Sequence, residues 1–153
     1  MAKLINEEYL DKNPIFIGVL NGSFMFAADF LKEINIDCEI SFIKIRSYVG
    51  MESSGELLEL IGIDDDIEGR EVILLEDIID TGHTMNKLLK TLKAKNAGYV
   101  RIVTLLLKPE AFEYTFPIHY TGFEIPNKFV VGYGLDYDGR GRNYRSIYQL
   151  KES

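Results

Sequence analysis

The sequence has few of the features that mark exported or membrane-bound proteins. It contains one cysteine, Cys38, among 153 residues, so it has no partner for an internal disulfide. No apolar stretch approaches the roughly 20 residues that a helix needs to cross a bilayer. The first residues carry acidic side chains too early for an export signal. These absences predict a cytoplasmic protein that has no membrane partner.

Clustered positive charge is also lacking. Lysine and arginine number 17 against 24 aspartates and glutamates, which gives a net charge of -7. Because contact with a nucleic-acid backbone needs clustered cations, we expect no nucleic-acid partner. The two histidines, His83 and His119, have no cysteine or second histidine nearby, so neither is predicted to bind zinc. An anionic ligand must therefore be bound by a few well-placed groups.

The order of the apolar segments predicts a single α/β domain. Ile15–Leu20, the segment that begins at Val72 and residues 99–107 have the apolar character of buried strands, while residues 24–34 and 87–97 have helical spacing. The unit from Val72 to residue 107 has the length of a parallel strand-helix-strand crossover. We therefore expect a mostly parallel sheet flanked by helices, with ligands bound at the carboxyl ends of its strands.

The segment that follows the strand at Val72 predicts a binding site. Glu76 and Asp77 come at the end of this strand, and Asp80 precedes the sequence Thr-Gly-His-Thr. Hydroxyl groups, a glycine and free N–H groups at the start of a helix form a cradle for phosphate. The alternative is an ordinary helix N-cap. Two buried carboxylates favour a ligand or a metal, because their desolvation is costly. A ribose phosphate with Mg²⁺ fits this pattern.

Residues 76–84 resemble the phosphoribosyl-pyrophosphate loop of type I phosphoribosyltransferases, in the form found in hypoxanthine-guanine phosphoribosyltransferases. Other segments match in order. Residues 20–23 resemble the pyrophosphate loop, residues 46–48 the start of the flexible catalytic loop, and Lys108 the purine-recognising lysine. Residues 123–137 resemble the purine and magnesium segment. The resemblance extends from residue 15 to about residue 148.

The resemblance implies the type I phosphoribosyltransferase fold, with a central mostly parallel twisted sheet, flanking helices and a small hood. It implies one domain over residues 1–153. The core would cover about 10–115, and the hood would combine the N-terminal segment with about 116–153. It also implies a homodimer or homotetramer and Mg²⁺ as cofactor.

The resemblance also assigns roles to the loop residues. Glu76 and Asp77 would hold the ribose hydroxyls, and Asp80 would handle the proton at purine N7 as the catalytic residue. The 5'-phosphate would be bound by the residues from Asp80 onward: Asp80, Thr81, Gly82, His83 and Thr84. Ser47 and Tyr48 would start a flexible loop, which continues through residues 49–56, closes over the site and excludes water.

Further roles follow for the base and for pyrophosphate. Lys108 would donate to the oxygen at purine C6, Phe129 would lie on the purine face, and the Val130 backbone would read the purine edge. Asp136 would contact magnesium and the purine site, with Glu76 and Asp77 as further candidate metal ligands. Pyrophosphate would be bound by Leu20, Asn21, Gly22 and Arg142.

Two features of the pyrophosphate site remain open in the sequence. Arg140 and Arg145 lie close to Arg142 along the chain and compete with it for the pyrophosphate role. Asn21 stands where many relatives carry a lysine, which removes one positive charge. In the family the bond that matches Leu20–Asn21 can be a cis peptide.

The implied activity is purine salvage, in which hypoxanthine or guanine and phosphoribosyl pyrophosphate give IMP or GMP and pyrophosphate. One alternative is a xanthine-preferring enzyme of the same fold, since the Lys108 contact serves any 6-oxo group. Another is a non-catalytic regulator that senses phosphoribosyl pyrophosphate. Joint retention of Asp80, Lys108, Ser47 and Tyr48 favours the enzyme.

Overall fold

The computed structural model describes residues 1–48, 57–61 and 66–151, and for residues 46–48 and 57–61 it describes the backbone only. The flexible loop predicted at 49–56 therefore lies outside the described residues. The helices and strands follow in this order: α1 (Ala2–Glu8), β1 (Ile15–Leu20), α2 (Phe24–Lys32), β2 (Glu39–Tyr48), β3 (Leu57–Ile61), β4 (Val72–Ile79), α3 (His83–Ala94), β5 (Val100–Leu107), β6 (Tyr120–Glu124), β7 (Val130–Val131) and β8 (Tyr148–Gln149).

Six strands form one mostly parallel sheet in the order β3-β2-β1-β4-β5-β6. Only the edge pair of β2 and β3 is antiparallel, and the other four pairs are parallel. Strands β7 and β8 form a separate antiparallel pair. The predicted fold class, a mostly parallel sheet with helices and a small additional unit, is confirmed. It brings the carboxyl ends of β1, β4 and β5 to one edge.

Both faces of the sheet are covered, which explains the continuous apolar run of β4. Val72 and Leu74 pack with α3, while Ile73 and Leu75 pack with α1 and α2. Successive side chains of a strand point to opposite faces, so both sets must be apolar. Burial of each such side chain stabilises the fold by about 1.5–3 kcal/mol.

The third helix differs from its predicted limits of 87–97. It spans His83–Ala94, because Gly82 caps its start at a φ of 86° and the Asn86 N–H donates to the Gly82 carbonyl at 2.9 Å. The last two residues of the loop motif, His83 and Thr84, thus lie in the first helical turn. The helix ends at Ala94, and Asn96 has a φ of 56°. Gly98 is not its cap, since the Gly98 N–H donates to Arg70. Helix α2 likewise ends at Lys32, two residues before its predicted limit.

The packing differs in two places from the predicted limits of core and hood. Helix α1 packs on the main sheet, where Ile5 and Tyr9 are buried with Phe16. Strand β6 extends the main sheet to Glu124. The part of the chain that caps the sheet edge therefore begins beyond β6, and we call residues 125–151 the capping segment. No helix in the described ranges is long and apolar enough to span a bilayer.

His119, just before β6, makes stability depend on pH. Its Nδ1 accepts a hydrogen bond from the Ile102 N–H at 3.1 Å, and partial burial, aided by the charge of Arg101, lowers the pKa of the ring. The folded pKa lies below the unfolded value of about 6.5, so the contribution to stability is present above that pH and is lost as the pH falls.

We predict that the free energy of unfolding in urea falls less between pH 7.5 and 5.5 in His119→Asn than in wild type. Equal slopes would contradict this.

Candidate functional site

Three adjoining cavities lie at the carboxyl ends of β1, β4 and β5. The loop cavity, of 220 Å³, is lined by residues 76–85. The central cavity has a volume of 510 Å³ and the base cavity a volume of 240 Å³. Residues of the central cavity are Val19, Leu20, Gly22, Ile45, Glu76, Asp77, His83, Thr84, Lys87, Asp136 and Arg142. Residues of the base cavity are Asp77, Ile78, Asp80, Lys108, Phe129, Val130, Leu135 and Asp136. Asp77 lines all three cavities.

Glu76 and Asp77 are buried carboxyl groups at the end of β4, with 8% and 6% of their surface exposed. Burial raises the pKa of Glu76 well above its usual range, and the charge of Asp77 raises it further. Burial also raises the pKa of Asp77, but a hydrogen bond with the Glu76 side chain, the main-chain N–H groups of Asp77 and Ile78 and the charge of Arg142 oppose this. Such a pair can accept hydrogen bonds from a ligand or bind a cation.

Lys108 and Asp80 form an ion pair in the base cavity. The Lys108 Nζ lies 2.6 Å from Asp80 Oδ2, and the lysine side chain is 8% exposed while the aspartate side chain is 46% exposed. The Lys108 main-chain N–H donates to the Ile79 carbonyl at 3.0 Å, which fixes the end of β5 beside the end of β4. A buried ammonium group with several donors and an accessible carboxylate thus face the same space.

The loop cavity ends at the N-terminus of α3. Gly82 adopts its left-handed conformation there, and His83 and Thr84 begin the helix. The first N–H groups of a helix have no intrahelical acceptor, and the helix dipole adds positive potential. This end of the 12-residue helix is therefore suited to an anion such as phosphate.

Close backbone contacts join the loop after β1 to its surroundings. A Cβ at Gly22 would lie 1.8 Å from Asp77 Oδ2, and a Cβ at Gly134 would lie 2.0 Å from the Gly22 carbonyl oxygen. Glycine is therefore required at Gly134, where φ is 100°, and a side chain at Gly22 would displace the Asp77 carboxyl group. The Leu20–Asn21 peptide bond is cis, as the resemblance implied. These contacts bring β1, β4 and the capping segment together around the central cavity.

The structure distinguishes the three candidate arginines. Arg142 lines the central cavity, its Nη2 lies 2.6 Å from Asp136 Oδ1, and its Nη1 donates to the Gly134 carbonyl at 2.7 Å. Arg140 lines a different cavity with Tyr137 and Tyr144, and Arg145 is exposed. Of the three, Arg142 is therefore placed beside Glu76 and Asp77.

Phe129 provides an aromatic surface in the base cavity. Its side chain is 50% exposed, and its ring meets that of Tyr137 edge-on, with centroids 5.6 Å apart. Val130 follows it in β7. A flat ligand on this ring would lie near Lys108 and Asp80, which line the same cavity.

Most residues singled out in the sequence meet at these cavities. The loop cavity contains Glu76, Asp77, Asp80, Thr81, Gly82, His83 and Thr84, and the other two contain Leu20, Gly22, Lys108, Phe129, Val130, Asp136 and Arg142. Asn21 is exposed and lines none of the three. Ser47 and Tyr48 lie in β2, paired with Leu58 and Leu57, and their side chains are outside the described part of the chain.

Sequence reasoning missed several residues of the site. Lys87 lies one helical turn after His83, a spacing that predicts a shared face once the helix is known to start at His83. Ile78 and Leu135 line the base cavity beside recognised residues. Ile45 lines the central cavity. No local motif marks Ile45 or Leu135, since their positions depend on how distant segments pack.

Oxygen ligands are available for a metal, but not as a complete cage. Glu76, Asp77 and Asp136 all line the central cavity. Within the described ranges, however, no three His, Cys, Asp or Glu side chains are grouped closely enough to hold a metal ion by themselves. Mg²⁺ is commonly bound by one or two carboxylates together with phosphates of a substrate. The donor set fits that mode of binding.

Comparison with known proteins agrees with the geometry. Residues 1–138 match the phosphoribosyl transferase domain family. The chain is 45% identical to the hypoxanthine-guanine phosphoribosyltransferase of Streptococcus agalactiae, covering 99% of this chain and 84% of that one. It is 42% identical to the enzyme of the same name from Streptococcus pyogenes, over 99% of this chain and 85% of that one. A Bacillus anthracis hypoxanthine-guanine phosphoribosyltransferase structure has a TM-score of 0.88, 36% identity and coverage of 98% and 89%.

The Lys108–Asp80 pair predicts an asymmetric effect on stability. In Asp80→Ala the buried ammonium group loses its partner, so the free energy of unfolding should fall by about 1 to 3 kcal/mol. In Lys108→Met the stem is replaced by an apolar side chain of similar length, so the change should stay within about 1 kcal/mol. Urea unfolding at pH 7 measures both. A larger fall in the free energy of unfolding in Lys108→Met than in Asp80→Ala would contradict the prediction.

Proposed function

The chain belongs to the phosphoribosyl transferase family, and we propose that it catalyses purine salvage, converting hypoxanthine or guanine and phosphoribosyl pyrophosphate to IMP or GMP and pyrophosphate. The similarity in sequence and fold to hypoxanthine-guanine phosphoribosyltransferases supports this activity. We propose the individual residue roles from the chemistry of the three cavities.

The proposed preference for hypoxanthine or guanine over adenine rests on one observation. Lys108 and Asp80 are paired at 2.6 Å in a cavity that also contains the half-exposed Phe129. An ammonium group can donate to a 6-oxo group, but it faces a donor at the 6-amino group of adenine. The geometry therefore favours 6-oxopurines over adenine. The Phe129 ring would support the flat base.

Asp80 is the proposed proton acceptor. In the reaction, purine N9 forms a bond to C1' of the ribose, the bond from C1' to pyrophosphate oxygen breaks, and a proton leaves N7. The carboxylate of Asp80 is half-exposed and lines both the base cavity and the loop cavity. We infer that it accepts this proton while Lys108 holds the base oxygen. The Lys108 ammonium remains beside the carboxylate and orients it.

The ribose, its 5'-phosphate and its pyrophosphate would lie in the other two cavities. The 5'-phosphate would lie at the N-terminus of α3 against Thr81, Gly82, His83 and Thr84, and the ribose hydroxyls would face Glu76 and Asp77. Pyrophosphate would lie in the central cavity, near Leu20, Gly22 and Arg142, with its charge balanced in part by the guanidinium group. Asn21, which is exposed, would contribute through its backbone.

We propose Mg²⁺ as the cofactor, held by Asp136 and by Glu76 or Asp77 together with the substrate. When bound, it would neutralise charge on the pyrophosphate leaving group.

We also propose a cytoplasmic location and a homodimer or homotetramer. Sedimentation of the purified protein would decide the state of assembly.

The direct test of the activity is a four-purine assay. Purified protein with phosphoribosyl pyrophosphate should release pyrophosphate with hypoxanthine or guanine, far more slowly with adenine, and only when Mg²⁺ is present. Xanthine as the best substrate would favour the xanthine-preferring alternative. Binding of phosphoribosyl pyrophosphate without any transfer would favour the regulatory alternative. Adenine as the best substrate would contradict the role of Lys108.

The role of Asp80 predicts a loss of turnover rather than of binding. An amide cannot accept the N7 proton, so kcat in Asp80→Asn should fall by roughly 10²-fold or more while KM for hypoxanthine stays within a few-fold. Steady-state kinetics measure both. The matched control is Asp138→Asn, at an exposed turn of the capping segment, which should behave as wild type. An unchanged kcat in Asp80→Asn would refute the role.

A further inference from the structure

A short segment after β5 crosses the loop that would bind the 5'-phosphate. The Glu113 N–H donates to the Thr81 carbonyl at 3.1 Å. The rings of Phe112 and Tyr114 lie over Gly82, since a Cβ at Gly82 would come within 2.7 Å of the Phe112 ring and 3.1 Å of the Tyr114 ring. We call residues 112–114 the strap. It contacts the loop through its backbone and through two aromatic side chains.

The strap is itself held on an aromatic platform. The ring of Tyr114 stacks on that of Phe116 with centroids 5.7 Å apart, and Phe116 meets Phe112 edge-on at 5.1 Å. Phe112 and Phe116 pack against the core that contains α3. The Tyr114 hydroxyl is therefore presented by a rigid group, which loses little conformational entropy when it forms a hydrogen bond.

That hydroxyl reaches the first residue of α3. Tyr114 Oη lies 2.6 Å from His83 Nδ1, and the two rings are edge-on at 5.4 Å. The other ring nitrogen, Nε2, lies 3.6 Å from Glu113 Oε2. Although the His83 side chain is 57% exposed, the strap thus contacts both of its nitrogens. An exposed histidine without such partners would sample several rotamers.

The position of His83 gives this contact a function. Its backbone begins α3 directly after Gly82, a residue with a φ of 86° and no side chain to restrict it. Backbone donors bind an anion more strongly when they are already in place than when binding must order them. A tether on His83 therefore restricts the loop at its most adaptable point.

We propose, on the basis of the proposed function, that Tyr114 is a positioning residue for the 5'-phosphate. Through the imidazole of His83 it holds the N-terminus of α3 in the conformation that binds phosphate. In this role Tyr114 does not contact the substrate. The roles of Glu113 and Phe112 are to align the strap with the loop through the backbone bond to Thr81 and the packing over Gly82.

The test is Tyr114→Phe, which keeps the ring over Gly82 and removes only the hydroxyl. KM for phosphoribosyl pyrophosphate should rise roughly two- to tenfold, the factor expected for one hydrogen bond. At saturating phosphoribosyl pyrophosphate, KM for hypoxanthine should stay at the wild-type value, which a general loss of structure would not allow. The matched control is Tyr99→Phe, at a side chain that is 73% exposed, and it should leave both constants unchanged.

A double-mutant cycle with His83→Ala tests whether Tyr114 acts on phosphoribosyl pyrophosphate binding through His83. Tyr114→Phe should have no further effect once His83 is alanine, because the tether is already absent. Wild-type KM values in Tyr114→Phe, an equal rise in both KM values, or additive effects in the cycle would each overturn the proposal. If wild type shows no transfer, the proposed function fails instead. Calorimetric titration with ribose 5-phosphate would then decide the positioning role on the same variants.

Discussion

The site depends on the burial of two adjacent carboxyl groups, Glu76 and Asp77, at the end of a strand that is otherwise apolar. Desolvation disfavours their charged forms, and the charge of Asp77 raises the pKa of Glu76 further. A pair of apolar side chains at the same place would stabilise the fold more, because their burial carries no desolvation cost. Their presence is explained if a ligand with hydroxyl groups or a cation binds between them, so the strand end is organised for binding at the expense of stability.

The surrounding segments are arranged around this pair. Gly22 brings the loop after β1 against Asp77, and Gly134 brings the capping segment against Gly22. A side chain at Gly22 would displace the Asp77 carboxyl group, and one at Gly134 would push the capping segment away from the loop. Arg142 lines the cavity that contains both carboxyl groups and pairs with Asp136. On the other side, Lys108 is fixed beside Asp80 at the end of β5. The parallel sheet makes this convergence possible because it collects strand ends at one edge.

Sequence reasoning predicted the local parts of this arrangement better than the long-range ones. The apolar strands and the phosphate loop followed from residue order, because these features depend on neighbours along the chain. The parallel pairing followed from the length of the strand-helix-strand unit that begins at Val72. The start of α3 at His83 was missed, since Gly82 and Thr84 suggested a loop. The strap over that loop was also missed: Phe112 and Tyr114 carry no motif, and only packing of the segment after β5 onto residues 81–83 brings them there. Likewise, the choice of Arg142 over Arg140 and Arg145 required the fold of the capping segment.

We infer that Glu76 and Asp77 are buried for a ligand rather than for the fold. The free energy of unfolding of the double variant Glu76→Gln, Asp77→Asn, measured in urea at pH 7 without substrates, tests this inference. The two amides retain the shape of the carboxyl groups and remove their charge. We expect the variant to be more stable than wild type. A variant less stable than wild type would show that the pair supports the fold, and would contradict the claim.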